Sequence, residues 1–155
     1  MVRYLHMSRS MLLAIILVLA FLGLADTWYL AQAALTNTDL NCGIEALDHC
    51  NTVAQSEYSR VYGIPLALYG FAFYVMFFVL AAIITTLSRP IFVKLLFWIS
   101  ALGFLLSLYF LYLQIYVIEA LCIYCLASFV IATLLFLATR TLRTRELAIR
   151  HPVIP

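Results

Sequence analysis

Charged residues are scarce in this chain, and their scarcity excludes most classes of soluble protein. Only 10% of the 155 residues are Asp, Glu, Lys or Arg, whereas 66% are hydrophobic, and the mean hydropathy is +1.09. A soluble domain of this length could not cover so much apolar surface. The net charge of +2 also argues against a nucleic acid as partner. The lipid bilayer must therefore be the solvent for most of the chain.

The apolar residues are gathered in four long runs. A spanning helix needs roughly 20 apolar residues, since about 30 Å of hydrocarbon is crossed at about 1.5 Å per residue. We predict an all-α membrane protein, a four-transmembrane-helix bundle that forms a single domain over residues 1–155. The predicted helices cover residues 11–35, 63–87, 90–117 and 120–142, and residues 36–62 form a polar loop.

The few charges orient this bundle. Eight of the nine basic residues fall on one side of the predicted topology, and only Arg60 falls on the other. The eight are Arg3, Arg9, Arg89, Lys94, Arg140, Arg143, Arg145 and Arg150; the opposite side carries Asp39, Glu45, Asp48, Glu57 and Glu119. The positive-inside rule predicts that both termini are cytoplasmic. The 36–62 loop would face the extracytoplasmic side, most simply of a bacterial plasma membrane.

An alternative for the N-terminal run is a signal peptide. Arg3 and Arg9 precede an apolar stretch, and Ala31-Gln32-Ala33 would supply small residues for cleavage. A spanning helix is favoured because the run is long enough to cross the bilayer, and Trp28 and Tyr29 suit an interfacial belt. Cleavage would not move the cysteines to another compartment.

Small and polar residues recur at helical spacing in two of the runs. They are Gly63, Ala67, Gly70 and Tyr74 in the second, and Ser100, Gly103, Ser107 and Gln114 in the third. Such faces let helices approach closely in lipid, so a packing seam is the favoured interpretation and a ligand pocket the alternative.

Cysteine is also rare, and the four cysteines form two pairs. Cys122 and Cys125 lie three apart at the head of an apolar run, so they share a helix face. The free N–H groups and dipole of a helix N-terminus favour a thiolate there. The spacing indicates a redox pair, and Cys125 lies deeper along the helix, where it could meet a molecule dissolved in the bilayer.

The second pair, Cys42 and Cys50, lies in the polar loop. Its spacing suits a flexible arm with a reversible disulfide, which exchanges through a mixed disulfide with a soluble protein and with Cys122. The pattern indicates an electron relay from a soluble dithiol to an acceptor in lipid, for which a quinone is the natural candidate. Alternatives are two static disulfides, a zinc site, or a membrane subunit that only senses redox state. No metal site is expected.

A set of residues along the chain matches a known pattern. It consists of Cys42, Cys50, Ser56, Gly63-Ile64-Pro65, Gly70 and Cys122-Ile123-Tyr124-Cys125. In this combination the chain resembles the vitamin K epoxide reductase family, especially its bacterial homologues, over about its whole length. The resemblance implies a bundle around a quinone of the ubiquinone, menaquinone or vitamin K type.

The resemblance also implies a role for each matching residue. Cys42 would exchange with the protein partner, Cys50 would form an interhelix disulfide with Cys122, and Cys125 would donate to the quinone. Ser56 matches a family serine near the active site, although a loop or cap serine is the ordinary interpretation. The partner would be a separate thioredoxin-like protein of the DsbA type, because the chain stops at Pro155 without the fused domain of many bacterial homologues.

Two positions depart from the animal members of that family. Leu66 and Phe129 stand where those enzymes carry an asparagine and a tyrosine that contact the naphthoquinone head. The departure favours plain quinone reduction over epoxide reduction, which stays an alternative. We expect Leu66, Tyr69, Phe73 and Phe129 at the quinone pocket. A DsbB-type protein is a further alternative, but its two cysteine pairs occur in the reverse order.

Asp26 lies in the outer half of the first helix, where a carboxylate is costly. Two interpretations stay open: a residue near the interface that hydrogen-bonds a neighbouring helix, or a proton donor to the reduced quinone.

Overall fold

The computed structural model describes residues 8–42, 49–87 and 89–150, with the side chains of Ile149 and Arg150 excepted. The chain is largely helical, with α1 at Arg9–Thr36, α2 at Cys50–Ala54, α3 at Leu66–Thr86, α4 at Pro90–Tyr116 and α5 at Ile123–Arg150. All of these except α2 are long and apolar enough to cross a membrane. Arg3, Glu45 and Asp48, which entered the charge argument, lie outside the described residues.

The ends of the helices follow from local chemistry. Ser8 precedes α1 and its hydroxyl accepts the N–H of Met11 at 3.2 Å, as an N-cap does. At the other end Asn37 adopts the left-handed conformation that commonly closes a helix. Pro90 occupies the first turn of α4, where its missing N–H costs nothing.

Three predicted helix boundaries are wrong by several residues. The second long helix begins at Leu66 and not at residue 63, because strands β1 (Arg60–Val61) and β2 (Ile64–Pro65) pair as a short antiparallel hairpin. Tyr62 and Gly63 both have positive φ, which a two-residue hairpin turn of this type requires. The last helix begins at Ile123 rather than 120 and continues to Arg150 rather than 142.

Glycines allow the close approach of the helices. α1 packs against α3 and α5, and α4 packs against α5 and, less extensively, α3. A Cβ at Gly23 of α1 would collide with the ring of Tyr74 on α3, and one at Gly103 of α4 would collide with Phe73. These contacts match the use of small residues at helix interfaces in lipid.

The two faces predicted as packing seams are mixed in character. Ser100 is buried and shares a hydrogen bond of 2.7 Å with Thr139 of α5, which joins α4 to α5. Ser107 and Gly70, by contrast, lie in the wall of a cavity described below. The seam and the pocket interpretations therefore each hold for part of these faces.

The two ends of the bundle differ in chemistry. At one end Arg9 of α1 forms an ion pair with Glu146 of α5, with Nε and Oε1 3.3 Å apart. All four cysteines belong to the other end, where the C-terminal half of α1 meets the start of α5. Arg60, the exception in the charge count, donates to the carbonyl of Ala34 in the last turn of α1 at 3.4 Å. A cation suits that position because the helix dipole is negative there.

Candidate functional site

The loop cysteines form a disulfide in the structure. Cys42 and Cys50 are joined by an S–S bond of 2.04 Å, and Cys50 opens the short helix α2. The next residue, Asn51, accepts the N–H of Leu40 at 2.8 Å and donates to its carbonyl at 3.5 Å. One amide side chain thus fixes the loop segment that leads into Cys42.

Two tyrosines of the long helices bind the same loop segment. Tyr29 of α1 accepts the N–H of Asn41 at 3.3 Å, and Tyr124 of α5 donates to the Asn41 carbonyl at 2.7 Å. The two rings contact each other with centroids 5.0 Å apart. Tyr124 lies between Cys122 and Cys125 in sequence, so this contact fixes the loop pair relative to the helix pair.

The helix cysteines carry free thiols at the start of α5. The backbone N–H of Cys122 donates to Oε1 of Gln114 on α4 at 3.1 Å, in a buried contact. The carbonyl of the same Gln114 accepts the N–H of Ala120 at 3.0 Å. Gln114 therefore closes the turn between α4 and α5 and sets the position of Cys122.

The environment of Cys122 favours its thiolate. A hydrogen bond from the Cys125 thiol and backbone N–H groups of Cys125 and Tyr124 lower the pKa of Cys122 to about 7, against an opposing effect of burial. Cys122 directly precedes Ile123, the first residue of α5, so its sulfur accepts the N–H groups that an N-cap side chain accepts. Such a thiol is both a nucleophile near neutral pH and a good leaving group.

The two pairs share one buried cluster. Cys42, Cys50 and Cys122 pack together with Ala33 and Leu40, and Cys125 packs against this group. Cys50 and Cys122 are almost fully buried, at 0% and 1% exposure, whereas Cys42 is at 9%. The disulfide is therefore next to the Cys122 thiol, and Cys42 is the less buried of its two residues.

A cavity of about 790 Å³ opens beside these cysteines. Cys50, Cys122 and Cys125 all line it, while Cys42 is not among the described residues that do. Most of the wall is apolar and comes from α1, α3, α4 and α5. Its volume is in the range of small-molecule sites.

Three of the four residues predicted at a quinone pocket lie in the cavity wall: Leu66, Tyr69 and Phe73. The fourth, Phe129, is not one of the lining residues within the described part of the chain. Phe129 stacks on Phe104 of α4 with centroids 6.4 Å apart. On α5 the cavity side is occupied by Ser128 and Ala132, which turns Phe129 into the α4–α5 interface.

Ser56 also lines the cavity. It directly precedes a 3-10 turn at Glu57–Ser59, yet its side chain does not cap that turn. Its hydroxyl donates instead to the carbonyl of Val53 at 2.7 Å. Ser56 therefore does not cap the turn through its side chain, whereas its local hydrogen bond fits a loop serine. It also borders the same space as the thiols.

Several contacts at this site were not predicted from the sequence. Asn51, Tyr29 and Tyr124 hydrogen-bond the loop backbone at residues 40–41. Gln114 hydrogen-bonds the backbone of the turn before α5. The available signal was the adjacency of Asn51 to Cys50 and the position of Tyr124 between the two helix cysteines. Of the described residues, no group of three or more His, Cys, Asp or Glu side chains is arranged to hold a metal ion.

Comparison with known proteins fits this geometry. The model of the vitamin K epoxide reductase family matches residues 14–140, which include all four long helices in part or whole and every cysteine. The chain belongs to the vitamin K epoxide reductase family. The thiol-disulfide oxidoreductase LTO1 of Arabidopsis thaliana is 32% identical over 130 residues, which are 79% of this chain. The chain spans about a third (34%) of the length of that relative.

Membership in the vitamin K epoxide reductase family, together with four apolar helices, makes the chain a multi-pass membrane protein. The disulfide in the structure is not the interhelix one that the resemblance implied. Cys50 is bonded to Cys42, and Cys122 is free. Cys50 and Cys122 nevertheless pack in the same buried cluster.

Proposed function

We propose that the protein is a membrane thiol–disulfide oxidoreductase. It passes electrons from an extracytoplasmic dithiol protein through Cys42/Cys50 and Cys122/Cys125 to a quinone, and so supports disulfide bond formation. The observation that carries the proposal is the shared cavity of Cys50, Cys122 and Cys125, with the loop disulfide packed against it. Family membership and the similarity to a thiol-disulfide oxidoreductase support the same class of activity.

The relay starts at the loop disulfide. A thiolate of the partner attacks Cys42, the less buried of the two residues, and forms a mixed disulfide while Cys50 leaves as a thiolate. A second partner thiol then resolves the mixed disulfide, so the partner is oxidised and the loop pair is reduced. The natural partner is a thioredoxin-like, DsbA-type protein, because its two thiols supply both electrons.

The second exchange joins the two pairs. When Cys122 and Cys125 are oxidised, Cys50 attacks Cys122 and releases Cys125, and Cys42 then attacks Cys50 and releases Cys122. The lowered pKa of Cys122 makes it a good leaving group in this last step. The outcome is a closed loop pair and a reduced helix pair, which is the pairing in the structure.

The cavity fits a quinone as the final acceptor. It is apolar, it lies among membrane-spanning helices, and Tyr69 and Phe73 give it aromatic walls beside Cys125. A quinone, when bound, accepts two electrons and two protons. Leu66 would contribute to holding the ring, and Ser56 would offer a hydroxyl at the cavity edge. Because Leu66 brings no polar group to the wall, quinone reduction is favoured over epoxide reduction.

The proposed orientation follows the charges. The end with Arg9 and the arginines of α5 would face the cytoplasm with both termini, and the cysteine end would face the opposite compartment. That compartment is oxidising in bacteria, where disulfides persist. The inner or plasma membrane of a bacterium is therefore the proposed location.

The test is reduction of a short-chain quinone by the purified protein, supplied with a small dithiol, in the wild type and in Cys125→Ala. We expect turnover in the wild type and none in the variant, because Cys125 is the thiol proposed to reduce the quinone. Folded wild-type protein that reduces no ubiquinone, menaquinone or vitamin K analogue would instead indicate a redox sensor or structural subunit.

A further inference from the structure

Asp26 places a carboxyl group inside the bundle, and hydrogen bonds to the described residues satisfy only part of it. It lies in the C-terminal half of α1, and its Oδ2 atom is buried with no hydrogen-bond partner among the described residues. An unpaired buried oxygen on an ionisable group is costly, and more so within a membrane. A residue kept only to tie helices together would have both oxygens bonded.

Two neighbours connect Asp26 to the cavity. The hydroxyl of Ser128 on α5 is its hydrogen-bonding neighbour, and this hydroxyl also lies 3.3 Å from the hydroxyl of Tyr74 on α3. Ser128 follows Cys125 by three residues on α5, so both side chains are on one face of the helix. Cys125, Ser128 and Tyr74 all line the cavity.

The titratable groups that face Asp26 are thiols and phenols. Its charge acts on Cys125 and Tyr124 of α5, on Cys122 directly before α5, and on Tyr74 of α3. No Lys or Arg among the described residues contributes to its environment. A negative charge on Asp26 would therefore be offset by no Lys or Arg of the described residues.

The two helix thiols differ in how they can lose a proton. Cys122 precedes the membrane-spanning segment, and its pKa of about 7 lets it ionise near neutral pH without a base. Cys125 lies within the segment and faces the apolar cavity, where an unassisted thiolate is disfavoured. A base close to Cys125 is therefore needed for the pair to react.

We propose that Asp26, positioned by Ser128, is the proton acceptor for Cys125. The inference rests on the proposed function. Closure of the Cys122–Cys125 disulfide breaks two S–H bonds, forms one S–S bond and releases two electrons and two protons. The electrons go to a quinone, which becomes a quinol on also gaining two protons. Asp26 takes one proton from Cys125 Sγ and passes it on to the quinone. Cys122 releases the other proton to water, and water supplies the second proton of the quinol.

The first test needs no quinone. In a Cys122→Ser background with the loop disulfide closed, Cys125 is the reactive thiol, and its alkylation by a membrane-permeant maleimide is timed with Asp26 and with Asp26→Asn. As proton acceptor, Asp26 speeds the reaction, so the variant reacts more slowly. A negative charge without this role would suppress the thiolate, so faster or unchanged alkylation in the variant overturns the proposal.

The second test is reduction of a short-chain quinone from a small dithiol. Asp26→Asn should lower the rate about 100-fold, a common magnitude for loss of a general base, and Asp26→Glu should restore part of it. Equal rates in wild type and Asp26→Asn overturn the proton role while the proposed function stands. An inactive wild type refutes the proposed function, and the alkylation result then decides the role of Asp26 alone.

Folding is controlled in two ways. Closure of the Cys42–Cys50 disulfide and the thermal midpoint are compared in every variant. If Asp26→Asn does not fold, Ser128→Ala takes its place, because it keeps the carboxylate and removes only the hydroxyl beside it. Slower alkylation of Cys125 in Ser128→Ala supports the proposal, and an unchanged rate overturns it.

Discussion

The two cysteine pairs differ in almost every physical respect, although only one relay is proposed for both. The loop pair is closed as a disulfide, and the loop segment before Cys42 is held by side chains from α1, α2 and α5. The helix pair is open, with one thiol at a helix N-terminus and the other facing an apolar cavity. The difference teaches that the loop pair is held as a disulfide by contacts of its own loop, whereas the helix pair combines an acidic thiol with one at the cavity. Each pair therefore suits a different exchange partner.

The largest expected effects come from removing one cysteine of either pair. Cys122→Ala should abolish quinone reduction with every donor, because the loop pair then has no Cys122 to exchange with and Cys125 alone cannot close an intramolecular disulfide. Cys42→Ala should abolish reduction by a protein dithiol but spare reduction by a small dithiol, which can reach the inner thiols directly. Both are measured as quinone absorbance with each donor. Loss of the small-dithiol reaction in Cys42→Ala would show that the assigned order is wrong.

An intermediate effect concerns the acidity that distinguishes the helix pair. Cys125→Ala removes the thiol that hydrogen-bonds to Cys122, so the pKa of Cys122 should rise from about 7 toward its ordinary value of 9.0. Cys125→Ser is the matched control, because its hydroxyl can still donate. With the loop disulfide closed, each variant has a single free thiol, and its ultraviolet thiolate absorbance is followed against pH.

The lowered pKa of Cys122 fixes the direction in which the stability of the fold changes with pH. The pKa of Cys122 is lower in the folded protein than its ordinary value, so the thiolate stabilises the fold above pH 9 and this stabilisation is lost as the pH falls through about 7. Cys125→Ala should lose much of this pH dependence. Identical titrations of the alanine and serine variants would contradict the role given to the Cys125 thiol.

The smallest expected effect loosens the connection between the pairs. Tyr124→Phe keeps the ring contact with Tyr29 but removes the hydrogen bond to the Asn41 carbonyl. A single exposed hydrogen bond contributes no more than about 1 kcal/mol, so transfer from the loop pair should slow by at most about fivefold. The measurement is single-turnover reduction of the helix pair by the loop pair. Tyr112→Phe, on an exposed face of α4, is the control and should have no effect.

The spans and the cysteine pairs could be predicted because each has a strong local signal. Long apolar runs define membrane helices, and the Cys122–Cys125 spacing is typical of a redox pair without knowledge of the fold. The start of α3 could not be predicted, because the hairpin before it has strands of two residues, too short for a periodic pattern. Its only signal is Gly63, which also suited a helix face.

The cavity was only partly predictable from the sequence. Aromatic residues make up 15% of the chain, so the pattern could not separate a wall residue such as Phe73 from an interface residue such as Phe129. That separation depends on the rotation of α5 against α4. The roles of Gln114 and Asn51 depend on contacts between distant backbone groups, to which an isolated amide in a sequence gives no guide.

The contact between Gly23 and Tyr74 has a consequence for how such sequences can diverge. Tyr74 fills the space that any side chain at position 23 would need, and its hydroxyl reaches Ser128 beside Cys125. A larger residue at position 23 is then tolerable only with a smaller one at position 74. We expect the two positions to covary among related sequences, so that glycine and tyrosine are retained or exchanged as a pair.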